Sequence, residues 1–535
     1  MRIAILQTNP ICGDINNNIK QIIHFTKIAK KNNASMMITS QIALNGHPLK
    51  NIILRRDFRY QIYKSIELLL EKINVPILFS AISLNYYNEK INNIPIYIKK
   101  QDIIIHNNFS YLKKNEIHCP ISLNKKINFN ILLDKDILNK HGVYSYKYIT
   151  NLIENKINKK NKIILILSSY HFIKNEDNIR KKILKKITKK SNKIIIFINQ
   201  IGGNDQYIYN SSSFIFYKNF FISCSSKFKE ELFYFDLYNK NRIILLVNKI
   251  RKIVLPIEMV INTIIIGIKD YVKKSQHSGI IIGLSGGVDS SLIAILSAYA
   301  LGSKRVLGFI MPSNFNSLNS VKDAYLLATR FNIKTHYINI ENIFQKILNN
   351  VEKLFINLTL KNVNQNLQSR IRSIYLMSLA NQSNNLLLAT GNKSESAIGY
   401  STIYGDLSGA LAPINDLYKN SIYKIANYLN KKYYNCLYEI INKFPSAELD
   451  FNQKDEDDLP KYIILDLILE CFIEEDLSIN EIFNIIKIKP DIIQSIIYKI
   501  IKHEYKRNQS PPQLIISKRP FSIIRKWPLI NKFNI

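Results

Sequence analysis

Nine consecutive residues, Gly283-Leu284-Ser285-Gly286-Gly287-Val288-Asp289-Ser290-Ser291, constrain this chain more than any other feature in it. They follow the apolar run Ile280-Ile281-Ile282 and lead into an apolar stretch over residues 292–300, so the pattern predicts strand, tight turn, helix. A turn of this kind at the carboxyl end of a parallel strand is where open α/β sheets bind ligands. Glycines let backbone amides approach phosphate oxygens, and the opening helix adds the positive end of its dipole. The hydroxyls of Ser285, Ser290 and Ser291 can donate to an anion, and the Asp289 carboxylate is suited to a magnesium ion. A Walker A loop needs a Lys after its second Gly, and none stands there.

Short β-branched runs alternate with longer amphipathic stretches along the whole chain, which predicts α/β layering. The runs cover residues 3–6, 36–38, 77–79, 163–167 and 194–198, then 280–284, 306–310, 335–340 and 386–389. At 535 residues the chain exceeds one ordinary domain, and a 47% hydrophobic content supplies more than one core. No internal repeat or Pro/Ser-rich linker marks a joint. The boundary is expected near residues 240–256, where a strand-like run over 243–247 gives way to basic residues, Pro256 and a helical pattern reaching Lys274. Two domains, residues 1–250 and 255–535, are therefore expected.

The formal net charge of +34 raises nucleic-acid binding as a function. However, Lys, Asn and Ile are enriched throughout, Gly numbers only 16 and Trp only 1, a skew typical of AT-rich coding. The lysines are scattered rather than gathered into a basic arm, so the charge reads as compositional drift that still attracts polyanionic nucleotides. Five cysteines (Cys12, Cys119, Cys224, Cys436 and Cys471) are odd in number and widely spaced, which fits neither a disulfide framework nor a zinc site and points to a reducing cytoplasm. The most apolar later stretch, residues 253–268, is interrupted by Pro256, Glu258 and Asn262 and falls short of the roughly 20 apolar residues of a membrane span.

The glycine-rich turn resembles the SGGxDS loop of the N-type ATP pyrophosphatases, which cleave ATP between its α and β phosphates and adenylate a substrate oxygen. The loop does not choose among GMP, asparagine, argininosuccinate and NAD synthetases; a series of later motifs does. Gln365-Asn366-Leu367-Gln368-Ser369-Arg370-Ile371-Arg372 resembles the ENxQxRxR segment of the NAD synthetases. In family order follow Ala389-Thr390-Gly391-Asn392-Lys393-Ser394-Glu395, then Gly399–Asp406, Pro413–Lys419, Pro445-Ser446-Ala447-Glu448-Leu449, Gln453-Lys454-Asp455-Glu456 and Glu504-Tyr505-Lys506-Arg507. The resemblance covers residues 255–535 and implies a Rossmann-like parallel sheet of the adenine nucleotide α-hydrolase type. It implies ATP contacts from Gly283, Leu284, Ser285, Gly286, Gly287, Val288, Asp289 and Ser290, with Thr390, Lys419 and Ser446. Deamido-NAD would meet Asn366, Arg370, Glu395, Asp406 and Lys506, and Asp289 and Glu395 would hold Mg2+. Arg370 and Arg372 could instead cap or solvate a helix, and Glu448 and Asp455 could be helix-start residues. A different adenylating enzyme on the same loop, GMP synthetase-like or a tRNA thiolase, is the alternative; a thiolase should carry cysteines beside the loop.

The first half resembles a nitrilase-type glutamine amidase, an α-β-β-α sandwich and the partner domain of glutamine-dependent NAD synthetases. The carriers are the opening strand at residues 1–7, the turn Ile42-Ala43-Leu44-Asn45-Gly46-His47-Pro48, the segment Asn199-Gln200-Ile201-Gly202-Gly203-Asn204-Asp205, and Ser213-Phe214. Ser168-Ser169-Tyr170-His171 stands where substrate contacts would sit. That family uses a Glu base, a Lys and a Cys nucleophile. Here Gln41 replaces the Glu, Asp134 replaces the Cys, and the Lys is Lys113 or Lys114. Gln206 and Asn210 replace acidic residues, and nothing around Cys119 resembles a nucleophile turn. The expectation is a retained fold with a dead glutaminase, and ammonia rather than glutamine as the nitrogen source. The resemblance also implies a homodimer through the synthetase domain and further assembly of two-domain chains.

Overall fold

The computed structural model describes residues 1–85, 90–99, 102–105, 121–124, 127–133, 162–191, 193–217, 220–223, 228–240, 242–247, 254–354, 360–433 and 436–532. The chain divides into two units, Met1–Met259 and Val260–Ile535. The division falls inside a helix, Pro256–Lys274. No described helix is long and apolar enough to cross a membrane.

The strands of the first unit are β1 (Arg2–Gln7), β2 (Met36–Thr39), β3 (Ile77–Asn85), β4 (Lys90–Lys99), β5 (Asp102–Ile105), β6 (Ile121–Asn124), β7 (Ile127–Leu133), β8 (Ile163–Leu167), β9 (Ile194–Ile198), β10 (Ile201–Asn204), β11 (Tyr207–Asn210), β12 (Phe214–Tyr217), β13 (Phe220–Ser223), β14 (Glu231–Lys240) and β15 (Arg242–Val247). They form one sheet in the order β15-β14-β1-β2-β3-β4-β5, a second in the order β13-β12-β9-β8-β7-β6, and the hairpin β10-β11. Side-chain alternation builds four layers from these. Ile3, Ile5, Met36 and Ile38 of the first sheet share one core with Ile163, Leu165, Ile194 and Ile196 of the second. The intervening residues Ala4, Leu6 and Met37 pack instead on Ile19, Ile22 and Ile62 of the helices Ile15–Lys31 and Arg56–Lys72. Ile164, Ile166, Ile195 and Phe197 meet Leu184 and Ile187 of the helix Glu176–Ser191. Each such side chain contributes roughly 1.5–3 kcal/mol on burial. A one-residue register slip would turn every strand's apolar set to the wrong layer. The result is an α-β-β-α sandwich.

The second unit carries β16 (Gly279–Gly283), β17 (Val306–Ile310), β18 (Lys334–Tyr337) and β19 (Asn385–Leu387), all parallel, in the order β18-β17-β16-β19. Ile280, Ile281 and Ile282 are wholly buried, as a parallel strand covered on both faces requires. The chain steps outward from β16 to β17 to β18, then returns to the other side of β16 with β19. That reversal opens a crevice beyond the carboxyl ends of β16 and β19. Strand β18 stops at Tyr337, short of the expected residue 340. The Asn339 side chain accepts the Glu341 amide at 2.8 Å and turns the backbone into the helix Glu341–Glu352, where Ile340 packs on Phe344. A helical layer completes the unit: the helices Tyr462–Leu469, Ile479–Ile486 and Pro490–Lys502 bury Leu465, Ile482, Ile493 and Ile497 against Ile398 and Tyr418.

Candidate active site

The turn after β16 is shaped by its smallest residues. Gly286 has φ +79°, and a Cβ there would lie 2.2 Å from the Ser320 carbonyl oxygen. We therefore expect Gly286→Ala to cost about 1–3 kcal/mol of stability and to abolish ATP binding, read by denaturant unfolding and by calorimetric titration. The hydroxyls brace the turn. Gly287 N donates to Ser285 Oγ at 3.2 Å, and Ser290 Oγ donates to the Gly287 carbonyl at 3.1 Å. The helix Val288–Leu301 starts at Gly287 with no side-chain cap, so its first amides face the crevice available to an anion.

Across that crevice three elements bring one cation between two carboxylates. Asp289 comes from the first turn of Val288–Leu301, Glu395 from the short helix Lys393–Ile398, and Lys419 from the first position of Lys419–Lys432. Lys419 Nζ lies 2.6 Å from Asp289 Oδ2 and 3.0 Å from Glu395 Oε1. Asn392 Nδ2 donates to Asp289 Oδ1 at 3.1 Å, and Asn392 Oδ1 caps the Glu395 amide at 3.0 Å. Burial pulls the Lys419 ammonium down, but the two carboxylates outweigh it and hold its pKa well above the ordinary value. Burial lifts Glu395 to about 7 against the pull of Lys419, with Asp289 and Asp455 adding to the rise. Tyr462 OH donates to Asp455 at 2.9 Å, and the Tyr462 ring lies 5.2 Å from Lys419 Nζ.

A cavity of about 950 Å³ runs from this cluster, large enough for more than one nucleotide-sized ligand. Its walls include the turn from Gly283 to Ser290, Thr390, Glu395, Lys419 and Ser446 at one end and Asn366, Asp406 and Lys506 at the other. Ser446 Oγ also holds its own loop, donating to the Gln453 carbonyl at 2.5 Å and accepting the Glu448 amide at 3.0 Å. Thr402 supplies its amide to Asp406 Oδ1 at 2.6 Å and its hydroxyl to Asn366 Oδ1 at 2.8 Å. Lys506 Nζ donates to the Gly399 and Ser401 carbonyls at 2.7 and 2.8 Å. Burial raises Asp406 and lowers Lys506, each opposed by the other's charge. Glu448 also lines the cavity and braces the Ser317 cap of the helix Leu318–Arg330, accepting from Ser320 Oγ at 2.5 Å and Ser317 Oγ at 3.2 Å.

Arg370 does not join this wall. It is exposed, with Nε donating to the Ile403 carbonyl at 3.2 Å. Arg372 lines the cavity instead, donating to the Met311 carbonyl and to Asn316 Oδ1, both at 2.9 Å, with burial pushing its pKa down to about 10. Helical spacing carries the signal for this. Asn362, Gln365, Asn366, Ser369, Arg372, Ser373 and Leu376 form a lining stripe along Leu360–Ser383, and residue 370 falls off it. Lys499 and His503 also line the cavity without having been singled out from the sequence. No cysteine lines it, so the arrangement a thiolase needs is missing among the described residues.

Behind the wall stands a buried ammonium. Lys393 Nζ lies 2.6 Å from Glu474 Oε1, 3.0 Å from Asp416 Oδ1, 2.6 Å from Ser517 Oγ and 3.1 Å from the Arg519 carbonyl. It ties the helix bearing Glu395 to the tail of the chain. An ion so fully buried is tolerable only because its three N–H groups donate to Glu474, Ser517 and the Arg519 carbonyl while Asp416 adds a second neutralising charge.

In the first unit, Gln41 follows β2 and is buried, its backbone N–H donating to the Ser168 carbonyl just after β8 at 3.2 Å. Ile42 sits at φ +61° with its amide held by Ser80 Oγ. His171 stacks on Tyr170, and burial pushes its pKa down to about 4. Asn210 Nδ2 donates to Asp177 Oδ2 at 2.8 Å. Lys113, Lys114, Cys119, Asp134 and Cys224 lie outside the described residues; Asp134 immediately follows β7.

Residues 260–510 match the family described as NAD synthase. The chain is 31% identical to the glutamine-dependent NAD(+) synthetase of Acinetobacter baylyi, over 99% of this chain and 98% of that one. It is 30% identical to the Synechocystis protein of the same name, over 99% of both chains. Among solved structures it resembles the glutamine-dependent NAD+ synthetase of Acinetobacter baumannii in complex with ADP, with a TM-score of 0.75, 27% identity and coverage of 99% and 98%. The Cytophaga hutchinsonii enzyme superposes with a TM-score of 0.80 at 16% identity over 99% and 98% of the two chains, a likeness of fold alone.

Proposed function

Because this chain belongs to the glutamine-dependent NAD(+) synthetases, a family of carbon–nitrogen ligases, we propose that it amidates deamido-NAD through an adenylated intermediate with ammonia as the nitrogen source. The observation that carries this reading is the single cavity joining the glycine-rich turn, the Lys419 cluster and the Asn366, Asp406 and Lys506 end. We assign residues 1–250 to an amidase-type domain without glutaminase activity and residues 255–535 to the synthetase. The cysteine pattern is that of a protein working in the cytoplasm, and the family resemblance makes the working form a homodimer.

ATP takes the turn from Gly283 to Ser290, its phosphates meeting the open amides of the helix start, with Thr390 and Ser446 alongside. Deamido-NAD extends to Asn366, Asp406 and Lys506. Its carboxylate oxygen attacks the α-phosphorus, and the bond to the bridging oxygen breaks to release pyrophosphate. Lys419 leans from its carboxylate partners onto the transferring phosphoryl group, where negative charge builds. Ammonia then adds at the carbonyl carbon of the mixed anhydride; AMP departs and a proton is lost. Arg370, exposed in one protomer, is left for a ligand or copy that reaches its face.

Asp289 and Glu395 offer hard oxygen donors for Mg2+, and among the described residues no third His, Cys, Asp or Glu converges on them as a metal-binding group. They therefore fit an ion that takes its remaining oxygens from phosphates and water, and such an ion neutralises charge on the triphosphate. The test is NAD formation from ATP, deamido-NAD and ammonium. No NAD with any nitrogen source would overturn the proposal, as would pyrophosphate release with xanthosine monophosphate but none with deamido-NAD.

A further inference from the structure

Lys419 and Glu395 meet 3.0 Å apart although they come from two different short helix starts. The start at Lys393 is capped by its own Asn392, whereas the start at Lys419 does not hold itself in place. The helix Lys419–Lys432 opens at the very residue the chemistry uses, and its N-cap residue, Tyr418, makes no side-chain capping bond. The first-turn amides still need acceptors. They find them on another element: the Asn420 amide donates to Asp466 Oδ2 at 2.8 Å, and the Lys419 amide donates to Ser394 Oγ at 2.9 Å. Ser394 Oγ in turn donates to Asp466 Oδ1. Ser394 precedes Glu395, and Asn420 follows Lys419, so the two oxygens of one carboxylate grip the chain next to each of the two groups.

We infer that Asp466 is a positioning residue for the ligase reaction, fixing the backbone of Lys419 and Glu395 so that their side chains converge on the phosphoryl group. Asp466 is only 2% exposed and does not line the cavity, so it acts through its neighbours and touches no substrate. A carboxylate in that position is costly to desolvate, and an apolar residue would pack the helix Tyr462–Leu469 against Ile398 and Tyr418 without that penalty. What the carboxylate adds is geometry. The same helix reaches the cluster a second time through Tyr462, whose hydroxyl holds Asp455 and whose ring faces Lys419. One eight-residue helix thus meets the site twice along one face, at Tyr462 and, one turn on, at Asp466.

The inference rests on the proposed reaction, and its test separates the two. Wild-type enzyme that makes no NAD defeats the proposed reaction; wild-type enzyme that works while the variants work equally well defeats only the role of Asp466. Asp466→Asn keeps the volume and one acceptor oxygen but turns an N–H group toward a donor. We expect kcat to fall about 10- to 100-fold while KM for ATP and deamido-NAD stays within about threefold, because ground-state contacts are untouched and near-attack geometry is lost. Ser394→Ala removes the hydroxyl that joins the Lys419 amide to Asp466 Oδ1 while leaving the Asn420 bond in place, and should lower kcat about tenfold with the same split. It decides the matter alone if the Asn variant does not fold. A lower melting temperature with kcat of the folded enzyme unchanged marks a purely structural role and overturns the inference. So does a loss seen in KM with kcat intact.

Discussion

Lys419→Met is expected to lower NAD formation by about a thousandfold, the scale set by other cations that meet a transferring phosphoryl group. The side chain is nearly isosteric, so the loss reports charge rather than packing. Its structural cost should be equally plain. Lys419 is the cation between Asp289 and Glu395, and without it two poorly hydrated carboxylates face one another. Removing one partner of a buried ion pair costs about 3–5 kcal/mol, and the pH dependence gives that cost a signature. Glu395 already sits at about 7 in the folded chain, and losing the ammonium raises it further. A carboxyl raised by folding binds its proton more tightly in the folded state. Its contribution is therefore favourable at low pH and is lost as pH rises through the folded pKa. The melting-temperature deficit of Lys419→Met should grow between pH 6 and pH 8.5. Rates within tenfold of wild type, or a deficit that shrinks with pH, would sink the assignment.

The second large effect concerns glutamine. NAD formation supported by glutamine should run at least about a thousandfold below that supported by ammonium, with no glutamate released beyond background, because base and nucleophile are both replaced. The amide of Gln41 cannot take a proton near neutral pH, and a carboxylate at position 134 is a weak nucleophile for acyl transfer. Gln41→Glu alone should not recover glutamate release, since a base without a thiolate has nothing to activate; Gln41→Glu with Asp134→Cys is the variant that should. The relatives are named for glutamine, so the comparison is sharp. Efficient glutamine-dependent synthesis by the wild-type chain, blocked by an alkylating glutamine analogue, would show that the working base and nucleophile lie elsewhere.

The site's phosphate end was legible because it is local. Strand, Gly286 turn and helix start are contiguous, and each obeys a rule that reads along the chain. Thr390, Glu395, Lys419, Asn366, Asp406 and Lys506 came only from resemblance, since nothing in their spacing shows that they share one cavity. The helical period over residues 362–376 separates Arg372 from Arg370 and is the signal in the sequence for that wall. The end of β18 was missed because a short side-chain bond from Asn339 overrides a β-branched run. Asp466 was not legible at all, and Lys393 was legible only as one letter of a family segment with no role of its own. Only tertiary structure reveals that each is wholly enclosed.

Lys393 has a further consequence, for the order of events at the ribosome. Two of its four oxygen partners, Ser517 and Arg519, follow it by 124 and 126 residues. At about 5–20 residues per second, the ammonium waits roughly 6–25 s for them. During that interval the helix that carries Glu395 would have to enclose a charge with half its partners unmade, so it stays open, and Glu395 has no fixed place opposite Lys419. A molecule cut short of Ser517 is therefore expected to be inert rather than half-active, because the serine and carbonyl that complete the shell of this lysine are translated long after it.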